Sequence, residues 1–281
     1  MQLRAFERLI KGQATSDGAG VRLKRTLGQS QGARLDPFLM LDEFRSDRAD
    51  DYIAGFPAHP HRGFETVTYM LAGRMRHEDH LGNRGVIEGG GVQWMTAARG
   101  IIHAEMPEQE SGLMHGFQLW LNLPADEKMK DPAWRDIPSG DVPSTDIDGG
   151  SVRVIAGAFN GIDGAVHGAS TAPLYLDVRL EPGRNFELAL DDGRNAFAYV
   201  FEGELRNPAG NGHPALSEGM LGVFGKGEGV RLEAGAAGAS FLLLAAKPLR
   251  EPVVQYGPFV MNTREEIEQA MRDYQSGSFG R

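Results

Sequence analysis

Short runs of β-branched and aromatic residues, each cut off by glycine, proline, asparagine or aspartate, set the tightest limit on how this chain can fold. Such runs occupy 66–71, 92–95, 116–121, 151–155, 174–178, 196–201 and 241–244. They are too short for helices that bury a face, but they suit strands, and many in series close into a sandwich or barrel. The 38 glycines and 15 prolines supply the turns between them. With 41% hydrophobic and 24% charged residues over 281 positions, the chain can bury a core unaided, which excludes disorder as the main state.

The runs also repeat. Tyr69-Met70-Leu71-Ala72-Gly73 aligns with Tyr199-Val200-Phe201-Glu202-Gly203, and Gly90-Gly91-Val92 aligns with Gly219-Met220-Leu221. A duplicated β-domain is the reading, with residues 1–124 as the first domain, 125–150 as a linker and 151–281 as the second. The linker is polar and proline-bearing, with little strand character. Near the end, Thr263-Arg264-Glu265-Glu266 has the form of a capping box. Ile267, Ala270, Met271 and Tyr274 follow at helical spacing and Gly277 closes the run, so a packing helix is expected.

Chemistry concentrates in the first half, where six of the eight histidines lie between residues 59 and 115. On a strand, residues i and i+2 share a face. His59-Pro60-His61 and His103-Ala104-Glu105 therefore each present two ligand-type side chains to one side. If both strands face one interior, three imidazoles and a carboxylate converge, which is a metal site. Glu65 shares the parity of His59 and His61 on a continuing strand, so either Glu65 or Glu105 could supply the carboxylate; a bulge at Gly63 would break that parity. At matching positions the second half has Ala189, Asp191, Leu232 and Ala234, so no metal is expected there.

The other histidines carry less. His77 and His80 sit in a charged run that reads as a solvated hairpin end, and His115 begins a strand as either a core residue or a neighbour of the ligands. His167 and His213, isolated among small and polar residues, read as exposed. Trp94, Trp120, Phe64, Met95, Met106 and Met114 read first as core, with an apolar pocket near the metal as the other role. The chain has no cysteine, which excludes a disulfide framework, a thiolate metal site and a cysteine nucleophile. Twenty-nine basic against 38 acidic residues give a net charge of −9, which argues against direct nucleic-acid binding. No run approaches a membrane span and no signal-peptide core opens the chain, so a soluble cytoplasmic protein is expected.

Taken together, these stretches resemble the pirin family of the cupin superfamily. Leu35-Asp36-Pro37-Phe38-Leu39-Met40-Leu41-Asp42-Glu43-Phe44, His59-Pro60-His61-Arg62-Gly63-Phe64-Glu65-Thr66-Val67, Gln93-Trp94-Met95-Thr96-Ala97-Ala98-Arg99-Gly100-Ile101-Ile102-His103-Ala104-Glu105-Met106-Pro107 and Gly257-Pro258-Phe259-Val260-Met261-Asn262-Thr263 carry the likeness. It implies an all-β bicupin: two cupin-type β-barrels joined by a linker, one metal-bearing and one degenerate, with a C-terminal helix. It also implies one divalent metal ion, iron(II), held by His59, His61, His103 and Glu105, a choice that favours Glu105 over Glu65. Zn, Mn, Co, Ni or Cu could enter the same ligands. The implied activity is that of a quercetin 2,3-dioxygenase, opening a small aromatic flavonol with O2 and releasing carbon monoxide; on chemical grounds a carboxylate ligand, Glu105, could also take the 3-hydroxyl proton as catalytic base. A regulatory or metabolic protein partner for a redox-sensing monomer is the alternative the family suggests. A zinc hydrolase fits poorly, since four protein ligands would close a tetrahedral site.

Overall fold

Each run read as a strand from the sequence lies inside a strand of the computed structural model, which describes residues 1–30, 33–210, 212 and 214–281. His213, read as exposed from the sequence, lies outside the described residues. The chain divides into two compact units, one of Ala14–Asp141 with Leu249–Arg281, the other of Met1–Gln13 with Val142–Pro248.

In the histidine-bearing unit, a seven-stranded sheet runs in the order Ala133–Ile137, Val92–Thr96, Phe64–Ala72, Met114–Asn122, Phe38–Ser46, Val21–Arg25 and Gln13–Asp17. A four-stranded sheet runs Phe56–His61, Ile101–Pro107, Arg74–Asp79, Arg84–Glu88. Thr68 and Gln118 of the larger sheet hydrogen-bond Glu105 of the smaller one, so the two enclose a common interior. A hairpin of Val254–Tyr256 and Phe259–Met261 and the helix Arg264–Ser276 complete the unit. Phe259, Met261, Ile267, Ala270 and Phe279 form one apolar cluster there, which is what the helical spacing of apolar residues foretold.

The helix ends follow the sequence. Thr263 Oγ1 accepts from the Glu266 amide while the Glu266 carboxylate accepts from the Thr263 amide, and Gly277 closes the helix at φ 73°. Replacing Thr263 by alanine leaves one of those amides without its partner, and is expected to destabilise the chain by about 1 kcal/mol. Denaturant titration checks this, and an unchanged midpoint would contradict it.

The other unit holds a nine-stranded sheet around Gly229–Ala246, an 18-residue strand that pairs with Leu174–Leu180, Asn185–Ala189 and Asn195–Arg206. Its core is apolar: Phe159 stacks on Phe186, and Phe186 meets Phe241 edge-on. Leu232 and Ala234, which match His103 and Glu105 in the repeat, belong to that core.

Duplication is visible in the backbone. Tyr69 pairs with Val92, and Tyr199 pairs with Leu221. The Gly90 amide donates to the Met70 carbonyl at 2.7 Å, and the Gly219 amide to the Val200 carbonyl at 2.8 Å. Gly73 and Gly203, at φ 86° and 76°, occupy the same left-handed turn position, one open to glycine and strained for other residues.

The unit boundaries differ from the sequence reading at both ends. The strand Phe6–Lys11 pairs with Met220–Phe224, with the Phe6 and Phe224 rings 4.8 Å apart, so the first residues belong with the later half. The terminal helix belongs with the histidines. The segment read as a linker carries strands at both ends: Ala133–Ile137 extends one sheet beside Val92–Thr96, and Ser144–Ile147 extends the other beside Gly150–Ala156. These are edge strands, where polar residues face solvent on one side, so their sequences lack the apolar density that marked the central strands.

Candidate metal centre

Adjacent strands bring His103 together with His59 and His61. Phe56–His61 and Ile101–Pro107 run antiparallel with His103 directly opposite His59 and Ile101 opposite His61. The three imidazole centroids lie 4.4–5.0 Å apart, and one nitrogen from each ring falls within 4.8 Å of the others. His61 and His103 are buried and His59 is half-buried.

The nitrogen atoms show which side of each ring is available. His59 Nδ1 lies 2.8 Å from the Pro57 carbonyl and must donate to it, which leaves Nε2 as a bare acceptor in the neutral ring. That Nε2 faces His61 Nε2 at 3.0 Å. His103 Nε2 is buried with no hydrogen-bond partner. Burial above all, and then the neighbouring histidines, holds His61 and His103 well below the usual imidazole range, so both are neutral at pH 7. Three imidazoles with one nitrogen each drawn together, His103 Nε2 among them without a partner, fit a transition-metal ion.

Glu105 is not part of that convergence. The pairing shifts register between His103 and Glu105, and the Glu105 carboxylate is held from the facing sheet. Thr68 Oγ1 donates to Oε1 at 2.9 Å and Gln118 Nε2 donates to Oε2 at 2.7 Å. Glu65 is placed differently. Gly63, at φ 90°, ends the strand that carries His59 and His61, and Glu65 starts along the other sheet, where Thr96 Oγ1 donates to it at 2.7 Å. Parity across Gly63 is therefore broken, and Glu65 does not join the histidines.

A cavity of about 760 Å³ opens on His59 and His61 of the triad, within the usual range of roughly 300–1,000 Å³ for small-molecule sites. Its walls include His59, His61, Gln118, Trp120, Leu39, Met40, Phe56 and Pro57, with Arg25 and Arg34 also contributing. Trp120 packs edge-on to His61 and against Phe64, so of the apolar residues singled out from sequence it is the one that reaches both cavity and ligand. Met95 and Met114 are core. His115 pairs with Glu43 at 2.9 Å inside the fold and takes no part in the triad.

His77 is where sequence reasoning misses. It is 1% exposed, not solvated, with Nδ1 3.3 Å from His103 Nδ1 and Nε2 3.4 Å from Asp79 Oδ2. A signal was present: Met75, His77 and Asp79 share one parity, and a buried methionine at the first position marks that face as interior. Of the two histidines in that run, His80 is exposed. Lys128 is a second miss. Its buried ammonium donates to the Gly63 carbonyl, Asn122 Oδ1 and the Val260 carbonyl, pinning the turn that follows His61.

A strand-built fold of two related units, one of them carrying a histidine triad that could hold a metal beside a ligand-sized cavity, defines a protein of the bicupin type. Family models agree: Pirin matches residues 20–121 and the Pirin C-terminal cupin domain matches 175–280. The chain belongs to the pirin family. It is 55% identical to a Pseudomonas aeruginosa protein named as a candidate quercetin 2,3-dioxygenase, over 96% of this chain and 95% of that one. It is 52% identical to a pirin-like protein of Caulobacter vibrioides, over 99% and 100%. Among solved structures, a quercetin 2,3-dioxygenase from Acinetobacter baumannii superposes with a TM-score of 0.90 at 33% identity, covering 99% of both chains. No helix of the described residues is long and apolar enough to cross a membrane.

Proposed function

We propose that this chain is an iron(II)-dependent dioxygenase that opens a flavonol ring with O2 and releases carbon monoxide. The observation that carries the reading is the ligand-sized cavity whose wall includes His59 and His61 of the triad. His59, His61 and His103 hold the metal, and Glu105, which rests on Thr68 and Gln118 beside the triad, turns toward the ion as fourth ligand once it is bound. Bound there, iron would supply the Lewis-acid and one-electron chemistry that reaction with O2 needs.

The protein's own groups do the rest. Leu39, Met40, Phe56 and Trp120 offer flat apolar walls that take aromatic rings and exclude water. Glu105 accepts the proton of the flavonol 3-hydroxyl on a carboxylate oxygen, and Thr68 and Gln118 orient that carboxylate. The names of the Pseudomonas and Acinetobacter relatives point to the same substrate class.

The test is anaerobic loading with iron(II), followed by admission of O2 while quercetin absorbance and released carbon monoxide are recorded. Turnover is expected, with Glu105→Gln slower by about 10²–10⁴-fold. Iron-loaded protein that leaves quercetin intact would sink the dioxygenase and turn the search to a protein partner.

A further inference from the structure

We infer that His77 is a positioning residue, which, backed by Asp79, fixes His103 in the tautomer that presents Nε2 to a metal. The inference rests on the metal-binding part of the reading above and not on the flavonol chemistry. A neutral imidazole carries one proton, so a His103 that binds through Nε2 must carry it on Nδ1. Among the described residues, the ring nitrogen paired with that atom is His77 Nδ1, at 3.3 Å. His77 Nδ1 must then accept, which puts the His77 proton on Nε2, and Asp79 Oδ2 is there to receive it at 3.4 Å. Each donor in the chain faces an acceptor, and the one nitrogen left over is His103 Nε2, buried and without a partner.

The far end of this chain is anchored. Asp79 Oδ1 accepts from the Leu81 and Asn83 amides and Oδ2 from Asn83 Nδ2, so the carboxylate cannot turn away from His77 without losing three hydrogen bonds. The His77 ring is also clamped. Trp134 stacks on it with centroids 5.5 Å apart and planes inclined by 22°. The strand pairings set the spacing, with His103 opposite Asp79 and Glu105 opposite His77. Outer carboxylate–histidine partners of this kind orient metal ligands and raise their affinity.

Two measurements test this on the full-length protein. Nitrogen-15 imidazole spectra of the metal-free wild type should show His103 protonated on Nδ1 and His77 on Nε2. His103 protonated on Nε2 would overturn the inference without touching the dioxygenase reading. Zinc affinity by chelator competition should fall about 10–100-fold in His77→Phe, which keeps a ring against Trp134 but offers no acceptor. His77→Asn, whose side-chain oxygen can stand near the place of Nδ1, should recover part of that loss. Melting of the metal-free His77→Phe protein should stay within about 3 °C of wild type. Zinc affinity within about twofold of wild type in that variant would overturn the role, since such a change is only about 0.4 kcal/mol. Should His77→Phe fail to fold, the wild-type spectrum decides alone. Wild-type protein that holds zinc with these tautomers yet leaves quercetin intact would retire the dioxygenase and leave His77 in place.

Discussion

Replacing His103 by alanine is expected to remove the metal site, lowering affinity for a divalent ion by at least about 100-fold and taking any flavonol turnover with it. His103 sits opposite His59 on the neighbouring strand and contributes a buried nitrogen, Nε2, that has no hydrogen-bond partner. Without it, His59 and His61 face each other at 3.0 Å and satisfy one another as donor and acceptor. The readout that needs no activity assay is thermal. A metal at 100 times its dissociation constant stabilises the folded wild type by about 2.7 kcal/mol, and that gain should vanish in the variant. A variant that still gains stability from the metal would show that the ion sits elsewhere.

Gly63→Ala is the second large effect, and it acts through the backbone. At φ 90° a side chain is strained, and the added Cβ would lie 1.9 Å from the Val260 carbonyl oxygen and 2.9 Å from Met261 Sδ. Val260 cannot simply retreat. Its amide donates to the Arg62 carbonyl, and its carbonyl accepts from Lys128, which also holds the Gly63 carbonyl. The cost is expected to be about 3 kcal/mol, seen as a melting temperature lower by about 6–12 °C. Because His61 is two residues away on the strand this turn ends, metal affinity should fall as well. Wild-type stability in Gly63→Ala would mean that the turn relaxes freely and that the clamp formed by Lys128 and Val260 does not hold it.

These two variants separate what local pattern can and cannot place. Alternation along a strand is a local property, which is why His59 with His61, and His103 with Glu105, could be read as same-face pairs. Whether both pairs reach one point depends on strand pairing, and the structure puts His103 opposite His59. Glu105 shows the boundary of that logic. It shares parity with His103, yet a register shift and two donors from the other sheet direct its carboxylate to Thr68 and Gln118. Glu65 fell the other way because one glycine at positive φ carried the chain from one sheet into the other.

The sequence by itself determined the strand-rich class, the internal duplication, the capped terminal helix and the two same-face pairs, His59 with His61 and His103 with Glu105. Each depends on residues close together along the chain: turn glycines, period-two alternation, a capping box. Tertiary structure alone decided that the first strand pairs with Met220–Phe224, that the terminal helix belongs with the histidines, and that His77 meets His103. Those outcomes turn on which edge a strand meets and what the opposite sheet offers a polar side chain. Both are set by packing between segments distant in sequence, where local propensity is silent.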